Sequence, residues 1–281
     1  NYFSATSATA GVNVSTGNSD WIIQNNRLFQ SATRNYTTAT THFGINITSG
    51  SAYTISNNRI GFANAAGTGT TNMVGNSVVL AGFPSSYTPS GTSNATRYVA
   101  INCAFTAAGP TSEIQANQIA GFALYTSSGA TTTNGIFCGI AVTAGNVNIA
   151  TTIGNTIGAT SGQGSIYTAT TTNGGMVAGI YVTTANSLSI RNNSIGAIDA
   201  MGTTPTICGG FNGINIAGLG TVYDVSGNTI GNSTAQNLRT GNLTTAGNLS
   251  NTGTTFTVAT GSAQFNGILS SKTGAGTIGT A

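Results

Sequence analysis

At 281 residues the chain is long enough for one large domain or two small ones. Charged residues make up only 4% of it, against about a quarter in ordinary soluble domains, and seven Lys and Arg against four Asp and Glu leave a net charge of +3. The cations form no cluster, which argues against nucleic acid or an anionic membrane as partner, and no apolar run approaches the ~20 residues of a membrane-spanning helix.

Forty glycines and many Thr, Ser, Asn and Ala residues take the place of charge, yet 39% of the chain is hydrophobic, and Ile and Val recur at regular offsets. Two short elements alternate along it. The first is Gly-Ile-x-Ile/Val. It opens as Gly11-Val12-Asn13-Val14 and Gly44-Ile45-Asn46-Ile47, varies as Ala100-Ile101-Asn102-Cys103, and returns at Gly139, Gly179, Gly213 and Gly267. The second is Ile-x-Asn/Gly-Asn-x-Ile-Gly. It runs from Ile23 to Leu28, Ile55 to Gly61, Ile190 to Gly196 and Val225 to Gly231, with looser copies at Ile114 to Ile119 and Gly154 to Gly158. Met73 to Val78 reads as an extra, shorter coil.

Period-2 alternation of apolar and polar residues is a strand signal, and Asn or Gly-Asn between two apolar positions is a turn signal. Helical periodicity is absent, and abundant Gly, Thr and Asn oppose helices. A strand, an Asn turn and another strand, repeated at similar spacing, predict an all-β fold: a right-handed parallel β-helix of about 7–8 coils with long Thr/Gly-rich loops. Residues 1–281 then form a single domain, a segment of or a subunit in a larger assembly. With no initiator Met and no signal peptide, the chain reads as a mature product or an excised segment.

Stacked coils place like residues over one another. Ile45, Ile101, Ile140, Ile180 and Ile214 are expected to form one core column, and Ile60, Ile119, Ile157, Ile195 and Ile230 a second. Asn26, Asn58, Asn117, Asn155, Asn193 and Asn228 are expected to form an asparagine ladder, each amide bonding to the coils above and below. The stretches between an Asn turn and the next Gly-Ile are expected to hold a third, variable strand and loops protruding on one side. Tyrosines in those stretches, Tyr36, Tyr87, Tyr125 and Tyr167, are candidate glycan contacts, because an aromatic ring can stack on a sugar.

The repeat of Gly-Ile with Ile-x-Asn-Asn-x-Ile-Gly resembles that of the pectin-lyase-like parallel β-helix superfamily. Its Asn-x-Ile-Gly form with Thr/Gly-rich spacers looks most like the long repetitive surface proteins of Bacteroidota-type bacteria. That resemblance implies an extracellular location at the bacterial cell surface. It does not select a function, since this scaffold hosts lyases, hydrolases, tailspikes and adhesins.

Catalysis by such enzymes needs clustered carboxylates, or carboxylate-bound calcium with a basic partner. The four acids here, Asp20, Glu113, Asp199 and Asp224, fall in different repeats. Glu113 and Asp224 share a phase but are separated by intervening repeats, too far for a pair about 5–10 Å apart. His42 stands where other repeats place an aromatic, and reads as a surface or edge residue. Cys103 occupies an apolar slot and reads as a buried thiol. Cys138 and Cys208 lie a full repeat apart, which disfavours a disulfide. Arg27, Arg59 and Arg191 adjoin the Asn turn and read as turn-edge solvation. Asn-x-Ser/Thr triplets at Asn13, Asn35, Asn46, Asn94 and Asn242 are what chance gives in a chain of this composition. No catalytic site, metal or cofactor is expected.

The expected function is therefore that of a structural or adhesive extracellular module. Its solenoid ends read as uncapped, so head-to-tail self-association or stacking on flanking repeats is expected, with surface glycans as a further partner. The alternative is a carbohydrate-binding or polysaccharide-degrading β-helix. Ice binding would need Thr-x-Thr in one phase on successive coils, and the unequal loops do not provide it.

Overall fold

The computed structural model describes residues 6–75, 93–130, 134–184, 186–204, 207–218, 223–234, 237–242, 264–270 and 277–278. Every strand pairing among them is parallel, and no helix occurs. The strands fall into four sheets of seven, seven, six and six strands. Tier 2 shows the plan of one coil: Thr41–Ile47 lies in the first sheet, Thr54–Ser56 in the second, Arg59–Gly61 in the third and Thr71–Gly75 in the fourth. The chain is a right-handed parallel β-helix. Its tiers begin, in order, at Ala10–Val14, Thr41–Ile47, Arg97–Ala104, Phe137–Ala144, Met176–Val182, Gly210–Ile216 and Phe265–Ser270. At ~4.8 Å per step the stack is about 29 Å tall.

Both expected columns form. Ile45, Ile101, Ile140, Ile180 and Ile214 are register partners, flanked by Val12 and Ile268. Leu28, Ile60, Ile119, Ile157, Ile195 and Ile230 are partners in the third sheet. Ile45 through Ile214 are fully buried and share one continuous core with the second column.

Alternation in the first sheet breaks at the glycine. Phe137, Ile140 and Val142 join the main core, whereas Cys138 and Ala141 belong to a small outer cluster with Val99, Ala178 and Tyr181. A Cβ on Gly139 would lie 2.6 Å from the Gly179 carbonyl oxygen, and one on Gly179 would lie 2.5 Å from that of Gly213. The glycine of Gly-Ile is therefore required by close approach of the next tier's backbone.

One expectation changes. Met73 to Gly75 is not an extra coil. Thr71–Gly75 is the fourth-sheet strand of tier 2, paired on one side with Arg34–Tyr36 and on the other with Phe122–Thr126. Asn76 to Val78 lie outside the described residues. The variable strand expected in each connecting stretch forms as a regular fourth-sheet strand, such as Ile166–Thr170 or Ile198–Gly202, buried along its length.

Candidate functional site

The Asn turn is the most regular polar feature of the molecule. Nδ2 of each ladder asparagine donates to Oδ1 of the next: 2.9 Å from Asn26 to Asn58, 3.0 Å from Asn58 to Asn117, and 2.9 Å from Asn117 to Asn155, Asn155 to Asn193 and Asn193 to Asn228. The same Oδ1 also accepts the backbone N–H of the preceding rung. A second bond from Nδ2 runs to a backbone carbonyl one tier back, as from Asn58 to Ile23 and from Asn155 to Ile114. The middle rungs are buried, so each amide meets its bonding capacity without water.

Turn and ladder are served by different residues. At five of the six rungs the left-handed conformation belongs to the residue before the ladder asparagine: Asn25, Asn57, Ala116, Asn192 and Gly227, with φ between 53° and 64°. The ladder asparagine itself points inward.

The carboxylates stay apart. Asp20 sits in a tier 1 turn, its N–H bonded to the Ser51 carbonyl at 3.0 Å. Glu113 and Asp224 do share a column on the outer side of the second sheet, with Asn148 and Ser189 between them. Three tier steps put them about 14 Å apart, beyond the reach of a catalytic pair. Glu113 Oε1 accepts from Asn148 Nδ2 at 2.6 Å. Arg191 ion-pairs with Asp224 and, by that hydrogen bond, holds its carboxyl below the usual carboxylate range. Arg191 is thus engaged by an acid rather than only solvated at the turn.

Asp199 is buried on the outer side of the fourth sheet, where its register partner Arg239 clasps it with two hydrogen bonds. Arg239 Nε donates to Oδ1 at 2.7 Å, and Nη2 donates to Oδ2. Burial pushes the Asp199 carboxyl up, opposed by Arg239. The tyrosine beside it, Tyr167, is likewise raised by burial, with the Asp199 charge adding to the effect. Sequence reading missed this pair. No sequence phase links the two, since Asp199 follows its Ile-Gly turn by three residues and Arg239 by eight.

The proposed glycan contacts are corrected. Tyr36, Tyr125 and Tyr167 are strand residues of the fourth sheet and are buried, so their rings offer no face to a sugar in solvent. Tyr87 lies outside the described residues. Arg27 and Arg59 are neighbours in register, and Arg59 Nε donates to Gln118 Oε1 at 2.9 Å. Cys103, Cys138 and Cys208 are free and buried, and burial pushes the Cys103 and Cys138 thiols up, away from the reactive thiolate. Among the described residues no three His, Cys, Asp or Glu side chains gather as metal ligands would.

His42 is also corrected. It is a fully buried interior residue, register partner of Tyr98, and not a surface or edge residue. Nδ1 lies 2.8 Å from Thr9 Oγ1 and Nε2 lies 2.8 Å from Thr40 Oγ1, with the Tyr36 ring 4.4 Å away. Two hydroxyls can serve either ring tautomer. Burial lowers its pKa from 6.5 to about 4. The folded value is thus depressed, so the associated stability is present above pH 6.5 and lost as pH falls through about 4. Unfolding free energy is expected to drop by about 3 kcal/mol across that window. Urea titrations at successive pH values check this, and His42→Gln is expected to flatten the window's slope.

No family model matches the chain, and no curated protein or solved structure matches it.

Proposed function

We propose that the chain is a structural or adhesive module of an extracellular bacterial surface protein, akin to the pectin-lyase-like β-helix surface proteins its repeat resembles. One observation carries this reading: three of the four carboxylates serve the scaffold. Asp199 with Arg239, Asp224 with Arg191 and Glu113 with Asn148 bind their neighbours in the stack instead of converging on a cleft. What faces solvent is largely neutral amide and hydroxyl, suited to a spacer or an adhesive surface that must not bind charged molecules indiscriminately. End-to-end association of solenoids belongs to the same reading. The carbohydrate alternative loses Tyr36, Tyr125 and Tyr167 as contacts.

The test uses intact producing cells and the purified chain. Antibodies against the folded chain are expected to label unpermeabilised cells in immuno-electron microscopy, and the chain is expected to release no reducing sugar from a polysaccharide panel. Label confined to permeabilised cells, or polysaccharide turnover, overturns the reading.

A further inference from the structure

Charge is spread unevenly over the seams between tiers. Where tier 5 meets tier 6, cations meet acids: Arg191 pairs with Asp224 and Arg239 with Asp199. Where tier 1 meets tier 2, cations meet without acids. Arg27 and Arg59 are register partners in the third sheet, one step of ~4.8 Å apart. In the fourth sheet Arg34 takes the column position of Met73 and Leu124, on the same side of its strand as the core residue Tyr36, and its Nε is buried without a hydrogen-bond partner. The one acid in either tier, Asp20, sits in the turn between Ala10–Val14 and Ile22–Gln24, at a different corner of the coil.

The single histidine of the chain spans the same seam. His42 is fully buried, and its column continues as Tyr98, Phe137, Val177 and Phe211, so an uncharged side chain holds this position in tiers 3 to 6. Its ring bonds across the seam to Thr9, in the run-in to tier 1, and within its own tier to Thr40. Around it stand Tyr36 of tier 1, Tyr98 of tier 3 and, two residues before Tyr36, Arg34. Both tyrosines are neutral in acid. Arg97, next to Tyr98, is a further cation, held by the Gly135 carbonyl at 2.6 Å. No acid stands in this set to answer a charge on the imidazole.

We propose that the junction of tiers 1 and 2 is an acid-sensitive seam: protonation of His42 adds a further cation to a junction already rich in them, and the two tiers part while tiers 3 to 7 stay stacked. The imidazolium reaches water when Thr9 and the strand Arg34–Tyr36 move off it. The same movement hydrates the Arg34 guanidinium and separates Arg27 from Arg59. Parting also bares the N–H and C=O row of Thr41–Ile47, an edge with which another strand can pair. The seam belongs to the junction itself and works whether or not further tiers flank it. It goes beyond the surface-module reading above and does not depend on it.

Native-state hydrogen exchange of the full chain at pH 7 and pH 4.5 tests it. The reporters are the amides of Phe43, Thr48, Thr54 and Arg59, which donate across the seam to the carbonyls of Thr9, Val14, Trp21 and Asn26 at 2.8–3.0 Å. The His42 pKa is about 4 in the closed seam and 6.5 once the ring is in water, so their protection, corrected for the intrinsic rate at each pH, is expected to fall about 50-fold. The amides of Thr183 and Ser194, which join tier 5 to tier 4, are expected to keep theirs. His42→Phe, matching the Phe137 and Phe211 of later tiers, is expected to abolish the pH dependence at the seam. His42→Gln, which keeps a donor and an acceptor but does not titrate, is expected to do the same. Seam amides that stay protected at pH 4.5, a fall shared equally by Thr183 and Ser194, or a fall that survives both substitutions overturns the proposal.

Discussion

Asn155→Ala is expected to lower the unfolding free energy by about 3–5 kcal/mol, about 1–3 kcal/mol for the one buried N–H left without a partner and about 0.5–1 kcal/mol for each of the other hydrogen bonds lost. Asn155 Oδ1 accepts both the backbone N–H and the side-chain amide of Asn117, and its own Nδ2 serves Asn193 Oδ1 and the Ile114 carbonyl. Alanine leaves the Asn117 N–H without a partner and takes one of several partners from Asn117 Nδ2, Asn193 Oδ1 and the Ile114 carbonyl. The same substitution at Asn26 is the control. That rung is half-buried and no described rung precedes it, so its loss is expected to cost about 1 kcal/mol, near the net value of a single hydrogen bond. Urea unfolding with linear extrapolation measures both. Equal, small losses at Asn26 and Asn155 would mean that the ladder follows the stack without holding it. In a one-dimensional array the Asn155 lesion sits mid-stack, so it is also expected to split unfolding into two transitions.

The second large effect concerns Asp199 and Arg239. Arg239→Met leaves a buried carboxylate with neither countercharge nor donors, and a loss of about 3–5 kcal/mol is expected. The double variant Asp199→Leu/Arg239→Met is expected to recover most of it, because two apolar side chains remove the desolvation cost along with the pair. The pH dependence supplies an independent sign. The Asp199 carboxyl is raised in the folded state, so its protonation favours folding, and the contribution present at low pH is lost as pH rises through the folded value. Without Arg239 the carboxyl rises further. The deficit of the single variant relative to the double is therefore expected to shrink as pH is lowered. A deficit independent of pH, or a double variant as unstable as the single, would assign the loss to packing alone.

The fold was legible because each coil repeats the same few side-chain decisions. Ile beside Gly, and Asn between two aliphatic residues, set register directly, since a column forms only when equivalent residues stack. Features between the motifs were not legible. The fourth-sheet strands use varied residues, from Ala123 and Leu124 to Asp199 and Arg239, and their pairing is fixed by the turns before them. The tyrosines were assigned to loops for the same reason. An aromatic residue in a Thr/Gly-rich stretch looks exposed until the strand that contains it is recognised. His42 occupied an aromatic's position in the motif, and that position faces the interior. What sequence could not place was which polar residues turn inward, because hydrogen bonding to a neighbouring tier, as between His42 and Thr9, has no local signature.

The asparagine ladder also has a direction. Every rung donates toward the next tier and accepts from the one before, so its amide dipoles, each about 3.5 D, add along the axis as those of a helix do. The outer asparagines run the other way, Asn102 donating to Asn46 and Asn46 to Asn13 over the first three tiers, and Asn266 to Asn212 at the far end, and offset this in part. A chain with almost no charge thus acquires an electrical axis, positive toward tier 6. Turning one amide over would break its bonds with both neighbouring rungs, so the orientation is a collective property: the rungs reverse together or not at all.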